Sequence, residues 1–455
     1  MSLNPPPEVA EIASKLRKAG FEAWCVGGAV RDALLGHPHL DWDLATSARP
    51  DDVRRIFKRT VPVGIEFGTV GVLDPNGTMH EVTTFRKDVK TDGRHAVVEF
   101  GVSLDGDLAR RDFTINAIAY DPDTGELRDP FDGRTDIKRG IVRAVGTAAD
   151  RMREDRLRAL RAIRFAARFR FHIEPLTWAA IRESAPHMGR LSAERVKQEL
   201  EKTMQQVEQP SVALEWWRES GALATLVPSL ATAPAERFRA LDFLPAPGRD
   251  ADAGATKGPT LTRLAMLFFG AAPADVERTT RALKFSNADA AWIVALARAW
   301  NEIGAAVDAA LTATEVASDA PRVVGAAQGQ AADAAMRRWI ATIGRTKTDA
   351  YCELTGALHL ARTAEPDGGT GGWTVAAAER ERAAAFRRRM VEIAFRDPVE
   401  IADLAVDGED LRAAGVPAGP EMGKMLRRLL ERVIEEPALN TVEGLLSMVR
   451  GEGEG

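Results

Sequence analysis

Two aspartates separated by one residue are the first candidates for chemistry in this sequence. Asp41 and Asp43 stand at the start of a predicted strand, 41–45, where side-chain alternation puts both carboxylates on one face and Trp42 on the other. Paired carboxylates suit Mg²⁺, and two ions about 3.5–4 Å apart can clamp the attacking and leaving oxygens of a phosphoryl displacement. The competing interpretation is a solvated strand edge, because an Asp-x-Asp motif alone is weakly specific.

A glycine pair precedes these aspartates at a predicted strand-to-helix junction. Gly27 and Gly28 permit close backbone approach, and the N–H groups at a helix start can hold phosphate. Arg31 lies one turn into that helix and adds a cation to the same anion site. A third acid, Glu81, belongs to a later strand and is a candidate to complete the metal ligands. These neighbours favour the metal and phosphate interpretation of the aspartate pair.

An arginine-rich stretch, predicted to form one helix over 153–169, is the second group of candidates. Between 151 and 170 the sequence has eight arginines against two acids, Glu154 and Asp155. The simplest interpretation is a solvated face with i,i+4 pairs such as Glu154 with Arg158. An Asp–Arg pair can also read bases, because the carboxylate accepts from an exocyclic amine while the guanidinium donates to the adjacent ring nitrogen. Such a pair admits cytosine and adenine, and it rejects guanine and uracil, which present a carbonyl beside a ring N–H.

Composition indicates an ordinary globular protein. The 455 residues are 45% hydrophobic and 28% charged, with a formal charge of −5 that argues against general nucleic-acid binding but leaves local basic surfaces open. This length suggests about three domains. Two cysteines exclude a cysteine-based zinc site or a disulfide framework. Neither a signal peptide nor an apolar stretch of roughly 18 residues is found, so we expect a cytoplasmic protein without membrane association.

The predicted elements place the candidate residues in an α+β N-terminal domain with a small mixed sheet. The first helices are predicted over 8–19 and 29–35, and the strands over 22–26, 41–45, 69–73 and 78–85. The last two strands flank a Pro-Asn-Gly turn, which indicates an antiparallel pair. The rest of the chain is predicted to be almost wholly helical, with helices over 153–169, 193–206 and 210–219 and loops or linkers over 231–259 and 365–372.

Six motifs occur in the order in which one known family has them. They are GGAVRDALLG (27–36) with the following Asp41-x-Asp43, EVTTFR (81–86), RRDFTINA (110–117), RAVG (143–146), EDRLR (154–158) and SAER (192–195). In this combination the chain resembles the class II tRNA nucleotidyltransferase and bacterial poly(A) polymerase family, which belongs to the polymerase-β-like nucleotidyltransferases. The resemblance is strong over about 20–230 and moderate over 400–445, and the region between contributes little. It implies a nucleotidyltransferase head followed by an all-helical neck, body and tail.

The resemblance also implies a role for each motif. Asp41, Asp43 and Glu81 would be the catalytic acids, and Asp41 and Asp43 would hold two Mg²⁺ ions. Asp155 and Arg158 would read the nucleotide base. The other residues expected to contact the nucleotide are Gly27, Gly28, Arg31, Arg111, Asp112, Asn116, Arg161 and Arg164. From the residues alone, Asp112 is equally well a cap of the following segment and Asn116 a buried amide.

Two features bear on which reaction to expect. The stretch VGIEFGT (63–69) stands where poly(A) polymerases of the family typically have a basic GRRF-like sequence, which favours tRNA as the substrate. Segment 86–100, with DGR at 92–94, retains the loop that enzymes adding only two cytidines usually lack, although Ala96 replaces a common proline. We therefore expect template-independent addition of C, C and A to tRNA 3′ ends from CTP and ATP, with release of pyrophosphate. The alternatives are an enzyme that adds only A, a poly(A) polymerase, and a catalytically silent tRNA-binding protein.

The predicted domains are the head over 1–147, the neck over 148–230, the body over 231–375 and the tail over 376–455. The body reads LAMLFFG at 264–270, where some relatives carry an HD phosphohydrolase motif, so hydrolase activity is not expected. The tail resembles that of bacterial tRNA nucleotidyltransferases, and Lys424, Arg427 and Arg428 are candidates for contacting tRNA phosphates. An exposed amphipathic helix is the equal alternative for this segment. No obligate protein partner is implied.

Overall fold

A computed structural model describes residues 3–37, 41–91, 96–246, 257–313, 326–368 and 372–452. The chain divides into two compact units, Met1–Ala231 and Thr232–Gly455. The N-terminal unit combines a mixed sheet with helices, and the described part of the C-terminal unit is helical apart from one pair of two-residue strands. The predicted α+β class is therefore confirmed. The division into four domains stays a prediction.

The N-terminal unit contains eleven strands and twelve α-helices among its described residues. The strands are β1 (Ala23–Val26), β2 (Asp43–Thr46), β3 (Thr60–Gly64), β4 (Thr69–Leu73), β5 (Met79–Thr84), β6 (Arg86–Thr91), β7 (Ala96–Phe100), β8 (Ala119–Tyr120), β9 (Leu127–Arg128), β10 (Ile141–Val142) and β11 (His172–Ile173). The helices are α1 (Pro7–Lys18), α2 (Gly28–Leu34), α3 (Pro50–Ile56), α4 (Leu104–Ala109), α5 (Gly133–Arg139), α6 (Ala148–Glu154), α7 (Leu157–Phe169), α8 (Pro175–Ser184), α9 (Ala193–Gln206), α10 (Pro210–Glu219), α11 (Ala222–Leu226) and α12 (Pro228–Ala231). Short 3₁₀ turns are Ile65–Phe67, Thr114–Asn116 and Ala185–Arg190.

Seven strands of this unit form one sheet in the order β3-β4-β5-β2-β1-β8-β9. β2 and β5 are parallel, with Leu44 opposite Val82, and the other neighbours are antiparallel. The predicted antiparallel pair is present as β4 and β5. Gly77 in the turn between them has a φ of +89°, which glycine adopts without steric cost. The sheet core includes Val26, Ala45, Phe85, Leu104, Leu108, Ala117, Ala119 and Val145.

The C-terminal unit is built from ten described helices. They are α13 (Ala235–Arg239), α14 (Lys257–Phe268), α15 (Pro273–Ala282), α16 (Asn287–Thr312), α17 (Ala326–Ile343), α18 (Arg345–Thr363), α19 (Ala377–Arg396), α20 (Gly408–Ala413), α21 (Pro420–Glu435) and α22 (Val442–Glu452). The strands β12 (Glu365–Pro366) and β13 (Trp373–Thr374) pair antiparallel, and 3₁₀ turns are Ala240–Phe243, Ile401–Asp403 and Pro437–Leu439. None of the helices in the described ranges is long and apolar enough to cross a membrane.

The prediction of one helix over 153–169 is wrong at its N-terminal end. α6 ends at Glu154, Asp155 is extended with φ −146° and ψ 106°, and α7 begins only at Leu157. The Asp155 carboxylate accepts a hydrogen bond from the Leu157 N–H at 3.0 Å. Aspartate competes with the helical backbone in this way, and this explains the break. No glycine or proline stands at this break, so the helical sequence pattern continues across Asp155 and does not reveal the break.

Two segments predicted as loops contain regular structure. Within 231–259, the short helix α13 and the following 3₁₀ turn bury Phe238 and Leu241. This amphipathic stretch was not predicted because it is short and the residues around it are rich in Ala and Pro. Within 365–372, β12 begins the β12–β13 pair. Residues 247–256 and 369–371 lie outside the described ranges. The neck is also not wholly helical, because β11 pairs with β10 in parallel.

Candidate active site

A cleft of about 560 Å³ in the N-terminal unit brings most of the predicted site residues together. Twelve lining residues were predicted: Gly27, Gly28, Arg31, Asp41, Asp43, Arg111, Asp112, Asn116, Asp155, Arg158, Arg161 and Arg164. Five others were not assigned to the site, namely Arg110, Phe165, Arg168, Lys202 and Gln206. Among these described lining residues, eight carry positive charge and four are carboxylates. The excess of cations suits a polyanion such as a nucleoside triphosphate.

The two aspartates reach the cleft from the start of β2. Asp41 is exposed just before the strand, Asp43 is its half-buried first residue, and Trp42 between them is buried. The strand begins two residues later than predicted, but both carboxylates line the cleft while Trp42 packs into the core, as the alternation predicted.

Glu81 is not among the residues that line the cleft. It precedes Val82 on β5, just as Asp43 precedes Leu44 on β2, and Leu44 and Val82 are paired in the parallel register. Asp43 and Glu81 are therefore neighbours on adjacent strands and point to the same face of the sheet. In the described ranges, no three His, Cys, Asp or Glu side chains come together closely enough to hold a metal ion. The role of Glu81 stays a prediction.

Gly27 occupies a junction that no other residue type fits. It lies between β1 and α2 with φ +79° and ψ −135°. A Cβ built on Gly27 would stand 2.9 Å from Nη1 of Arg111. The backbone conformation therefore requires glycine, and a larger residue would also displace the Arg111 guanidinium.

Four predicted residues form one hydrogen-bonded network across the cleft. Arg31 Nη1 donates to Asn116 Oδ1 at 2.5 Å, and Asn116 Nδ2 donates to Asp112 Oδ1 at 2.9 Å. Arg161 donates to Asp112 Oδ2 from Nε at 2.9 Å and from Nη2 at 2.7 Å. Burial raises the pKa of Asp112, but the Arg161 charge and the hydrogen bonds from Asn116 and Arg161 outweigh it and lower that pKa to about 2. Asp112 is therefore ionised at neutral pH and holds Arg161 at the cleft.

The two predicted base-reading residues both line the cleft, and their hydrogen bonds run to other groups. Asp155 Oδ2 accepts from Arg195 Nη2 at 2.7 Å. Arg158 donates from Nη1 to Glu154 Oε2 at 2.7 Å and from Nη2 to the Arg110 carbonyl at 3.2 Å. The i,i+4 pair weighed as the simplest interpretation is thus present. Arg195 had no predicted role of its own, although its place in the SAER motif was the available signal.

Phe165 is a site residue that the sequence analysis missed. Its ring lies beneath three guanidinium groups, with centroid distances of 4.8 Å to Arg31, 5.2 Å to Arg161 and 4.4 Å to Arg164. Aromatic faces attract cations, so Phe165 gathers these arginines without neutralising them. Its signal was its place next to Arg164 and one turn after Arg161, which puts it on the arginine face of α7.

α9 also contributes residues that were not predicted. Arg164 donates from Nε to the buried Glu199 and from Nη1 to Gln206 Oε1, the latter at 2.8 Å. Lys202 lies one turn from both of these α9 residues and lines the cleft. Burial lowers the pKa of Lys202, Glu199 opposes this, and Arg164 and Arg161 lower it further. Only the packing of α7 against α9 brings these side chains to the cleft.

Two other predicted features lie elsewhere. DGR at 92–94 falls outside the described residues, while the flanking β6 and β7 pair as an antiparallel hairpin. Lys424, Arg427 and Arg428 are exposed along α21, whose buried residues are Leu429, Val433 and Ile434. Lys424 donates to Glu421 at 2.8 Å. This exposed amphipathic helix fits both interpretations of the tail.

Three segments match protein-family models. Residues 23–143 match the poly A polymerase head domain, and residues 170–233 match the probable RNA and SrmB-binding site of polymerase A. Residues 380–449 match the putative tRNA nucleotidyltransferase domain 2. Both the head and the tail therefore carry family signatures.

Several curated relatives of this chain are named CCA-adding enzymes. The enzyme of Streptococcus mutans is 49% identical over 199 residues, which is 43% of this chain and 49% of that protein. The enzyme of Leuconostoc mesenteroides is 50% identical over 195 residues, which is 42% of this chain and 48% of that protein. The matched part spans about half the length of these curated relatives.

Solved structures extend the similarity to nearly the whole chain. The Bacillus stearothermophilus CCA-adding enzyme in complex with CTP is 30% identical with a TM-score of 0.73, covering 99% of this chain and 98% of that one. The Thermotoga maritima CCA-adding enzyme complexed with tRNA shares the fold at 19% identity and a TM-score of 0.63, covering 98% and 94% of the two chains. The family predicted from the six motifs is thereby confirmed: the chain belongs to the class II tRNA nucleotidyltransferase and bacterial poly(A) polymerase family, which includes these CCA-adding enzymes.

Proposed function

We propose that this protein adds C, C and A to the 3′ end of tRNA from CTP and ATP, without a template, and releases pyrophosphate. The observation that carries the proposal is the cleft, in which acids, cations and a glycine junction from separate elements line one cavity. The names of the curated relatives and the CTP complex of the B. stearothermophilus enzyme support the substrates. Such a reaction on tRNA also favours the cytoplasm as its location.

Divalent metal is expected in this family, and the acids of the cleft fit Mg²⁺. Asp41 and Asp43 offer the hard carboxylate oxygens that Mg²⁺ prefers, and Glu81 stands beside Asp43 on the next strand. We infer that Asp41 and Asp43 hold two ions and that Glu81 supports them. Bound Mg²⁺ would neutralise triphosphate charge and lower the pKa of the attacking hydroxyl.

Arg111 is suited to hold the triphosphate. Burial lowers its pKa, and its buried Nε has no hydrogen-bond partner among the described residues. Arg111 lines the cleft, where a triphosphate oxygen would accept from its guanidinium group. The Arg31–Asn116–Asp112–Arg161 network lies in the same cleft and offers donors to the sugar and phosphates.

The base would be read by Asp155 and Arg158. The Asp155 carboxylate would accept from N4 of cytosine or N6 of adenine, and Arg158 would donate to N3 or N1. Arg158 would turn one N–H away from Glu154 to do so. The tRNA 3′-hydroxyl oxygen then loses its proton to water and bonds to the α-phosphorus, the bond from that phosphorus to the bridging oxygen breaks, and pyrophosphate leaves.

The deciding experiment supplies three tRNAs, ending at the discriminator base, at C and at CC, each with CTP or ATP alone. We expect C on the first two substrates and a single A on the third. Addition of A to the third tRNA, with no addition of C to the first two, would identify an A-adding enzyme. Long ATP-dependent products would identify a poly(A) polymerase, and no product in any reaction would leave a tRNA-binding protein.

A further inference from the structure

A buried carboxylate stands directly behind the arginines of the cleft. Asp107 on α4 is 1% exposed and does not itself line the cleft. Its Oδ1 accepts from Arg110 Nε at 2.9 Å and from the Arg86 backbone N–H at 3.3 Å, and its Oδ2 accepts from Arg111 Nη2 at 3.4 Å. Arg110 and Arg111 both line the cleft.

Asp107 is not needed to begin its own helix. The Ser103 hydroxyl already caps α4 by accepting from the Gly106 N–H at 3.3 Å. Burying an ionised carboxylate is costly unless it is paired, and Asp107 is paired with two guanidinium groups of the cleft. The backbone N–H of Arg86, at the root of the β6–β7 hairpin, fixes the direction of the carboxylate.

Arg111 is consequently held from two sides. Gly27 leaves the space for Nη1 and Asp107 receives Nη2, while Arg111 itself lines the cleft. The neighbouring Arg110 carbonyl accepts from Arg158 at 3.2 Å, so this segment also supports a predicted base-reading residue. Fixing a guanidinium before the ligand arrives removes the entropy cost of ordering it on binding.

We propose that Asp107 is a positioning residue, which orients Arg111 toward the triphosphate of the incoming nucleotide. The inference rests on the proposed function, in which Arg111 binds the nucleotide. It predicts an effect on nucleotide affinity that is separable from folding and from the turnover of bound nucleotide.

The test is Asp107→Asn in the full chain, which keeps the shape and an acceptor oxygen but removes the charge. We expect the Kd of CTP without tRNA, and the KM of CTP and ATP with tRNA, to rise about fivefold to tenfold. We expect kcat at saturating nucleotide to stay within about twofold of the parent value. Asp105→Asn is the matched control on the same helix, because Asp105 is half-buried and pairs at 2.8 Å with Arg128, which does not line the cleft.

A double-variant cycle tests the route through Arg111. Asp107→Asn combined with Arg111→Met should bind CTP no more weakly than Arg111→Met alone. Additive losses, or an unchanged CTP Kd in folded Asp107→Asn, would overturn the proposal. If Asp107→Asn does not fold, Asp107→Glu replaces it, since it keeps the charge but displaces it by one methylene group. In that variant, a weaker CTP Kd at unchanged Tm supports the role and an unchanged Kd contradicts it.

The same measurements separate this inference from the proposed function. A parent protein that binds CTP but adds nothing to tRNA would contradict the proposed function and leave the role of Asp107 intact. A parent protein that adds C and A, with the CTP Kd unchanged in Asp107→Asn, would contradict only the role of Asp107.

Discussion

Asp41 and Asp43 differ in environment although one residue separates them. Asp41 is exposed ahead of β2, whereas Asp43 is half-buried within the strand. Trp42 is 3% exposed, and its burial fixes the side of the strand on which both carboxylates stand. The direction of both carboxylates is thus set by an apolar residue that is not itself a candidate for the chemistry.

Removal of the first acid tests the metal assignment. Asp41→Ala should reduce nucleotide incorporation at least about a thousandfold, because a metal ligand is lost. Binding of tRNA should persist, since this side chain is exposed. Radiolabelled CTP incorporation measures the first effect and a gel-shift titration the second. Asp51→Ala, an exposed aspartate of α3, is the control, and undiminished incorporation by Asp41→Ala would refute the assignment.

Removal of Arg158, the proposed base-reading arginine, tests selectivity. Arg158→Ala should lose activity or lower the preference for CTP and ATP over UTP and GTP by about tenfold to a hundredfold, the discrimination of one two-point base contact. Competition assays with all four nucleotides measure this preference. Arg153→Ala is the control, because Arg153 is exposed on α6 and pairs with Asp150. Full activity with an unchanged preference would count against Arg158 as a reader.

At the scale of elements, the junction between β1 and α2 shows how local conformation and the site depend on each other. α2 is flanked by glycines with positive φ, Gly27 at +79° and Gly36 at +73°. Only at Gly27 would a Cβ meet the site, whereas nothing lies within 4 Å of a Cβ at Gly36. Substitutions at these two glycines therefore distinguish the effect of backbone strain from the effect of disturbing the site.

Alanine at each of these positions makes a matched pair. Gly27→Ala and Gly36→Ala should each lower the free energy of unfolding by about 1–2 kcal/mol, because both force an L-residue into positive φ. Only Gly27→Ala should weaken CTP binding, by about tenfold or more, because its Cβ displaces Arg111. Urea unfolding and CTP titration measure the two effects. Equal CTP affinities in the two variants would show that Gly27 serves the backbone alone.

In the whole molecule, the proposed nucleotide site and the predicted tRNA contacts of the tail belong to different units. The N-terminal unit contains the complete cleft. The C-terminal unit ends in a small apolar core of its own, formed by Val406, Leu411, Val416, Leu429, Val433, Leu445 and Val449. α21 contributes to this core with one face and leaves Lys424, Arg427 and Arg428 exposed. Binding of tRNA by the tail would then be an electrostatic function independent of nucleotide binding.

Charge reversal in the tail tests this division. The triple variant Lys424→Glu, Arg427→Glu and Arg428→Glu should weaken tRNA binding about tenfold or more at low salt and flatten the dependence of log Kd on log salt by roughly two. The CTP Kd should not change. The control reverses Arg278, Arg281 and Lys284, which are exposed in or just after α15. If both triple variants weaken tRNA binding equally, general charge rather than the tail is responsible.

Patterns carried by neighbouring residues were predictable. The turn between β4 and β5, the ends of α10 and the burial of Trp42 between two acids all follow from residue types a few positions apart. The break at Asp155 was not predictable, because its cause is a side-chain hydrogen bond that competes with the helical pattern of a continuous arginine-rich stretch. α13 was not predicted because turn-forming residues surround the short stretch that contains the buried Phe238 and Leu241.

Residue types and their spacing were enough to identify the side chains that could do chemistry: the paired acids, the glycine junction and the arginine-rich helix. Which of them share one cleft, and which residues hold them there, depends on how the elements pack. Asp107, Phe165 and Arg195 were not assigned to the site because their roles depend on where their partners lie in the fold. The physical reason is that hydrogen bonds and ion pairs act over a few ångströms in space, whereas Asp155 and Arg195 lie 40 residues apart in the chain.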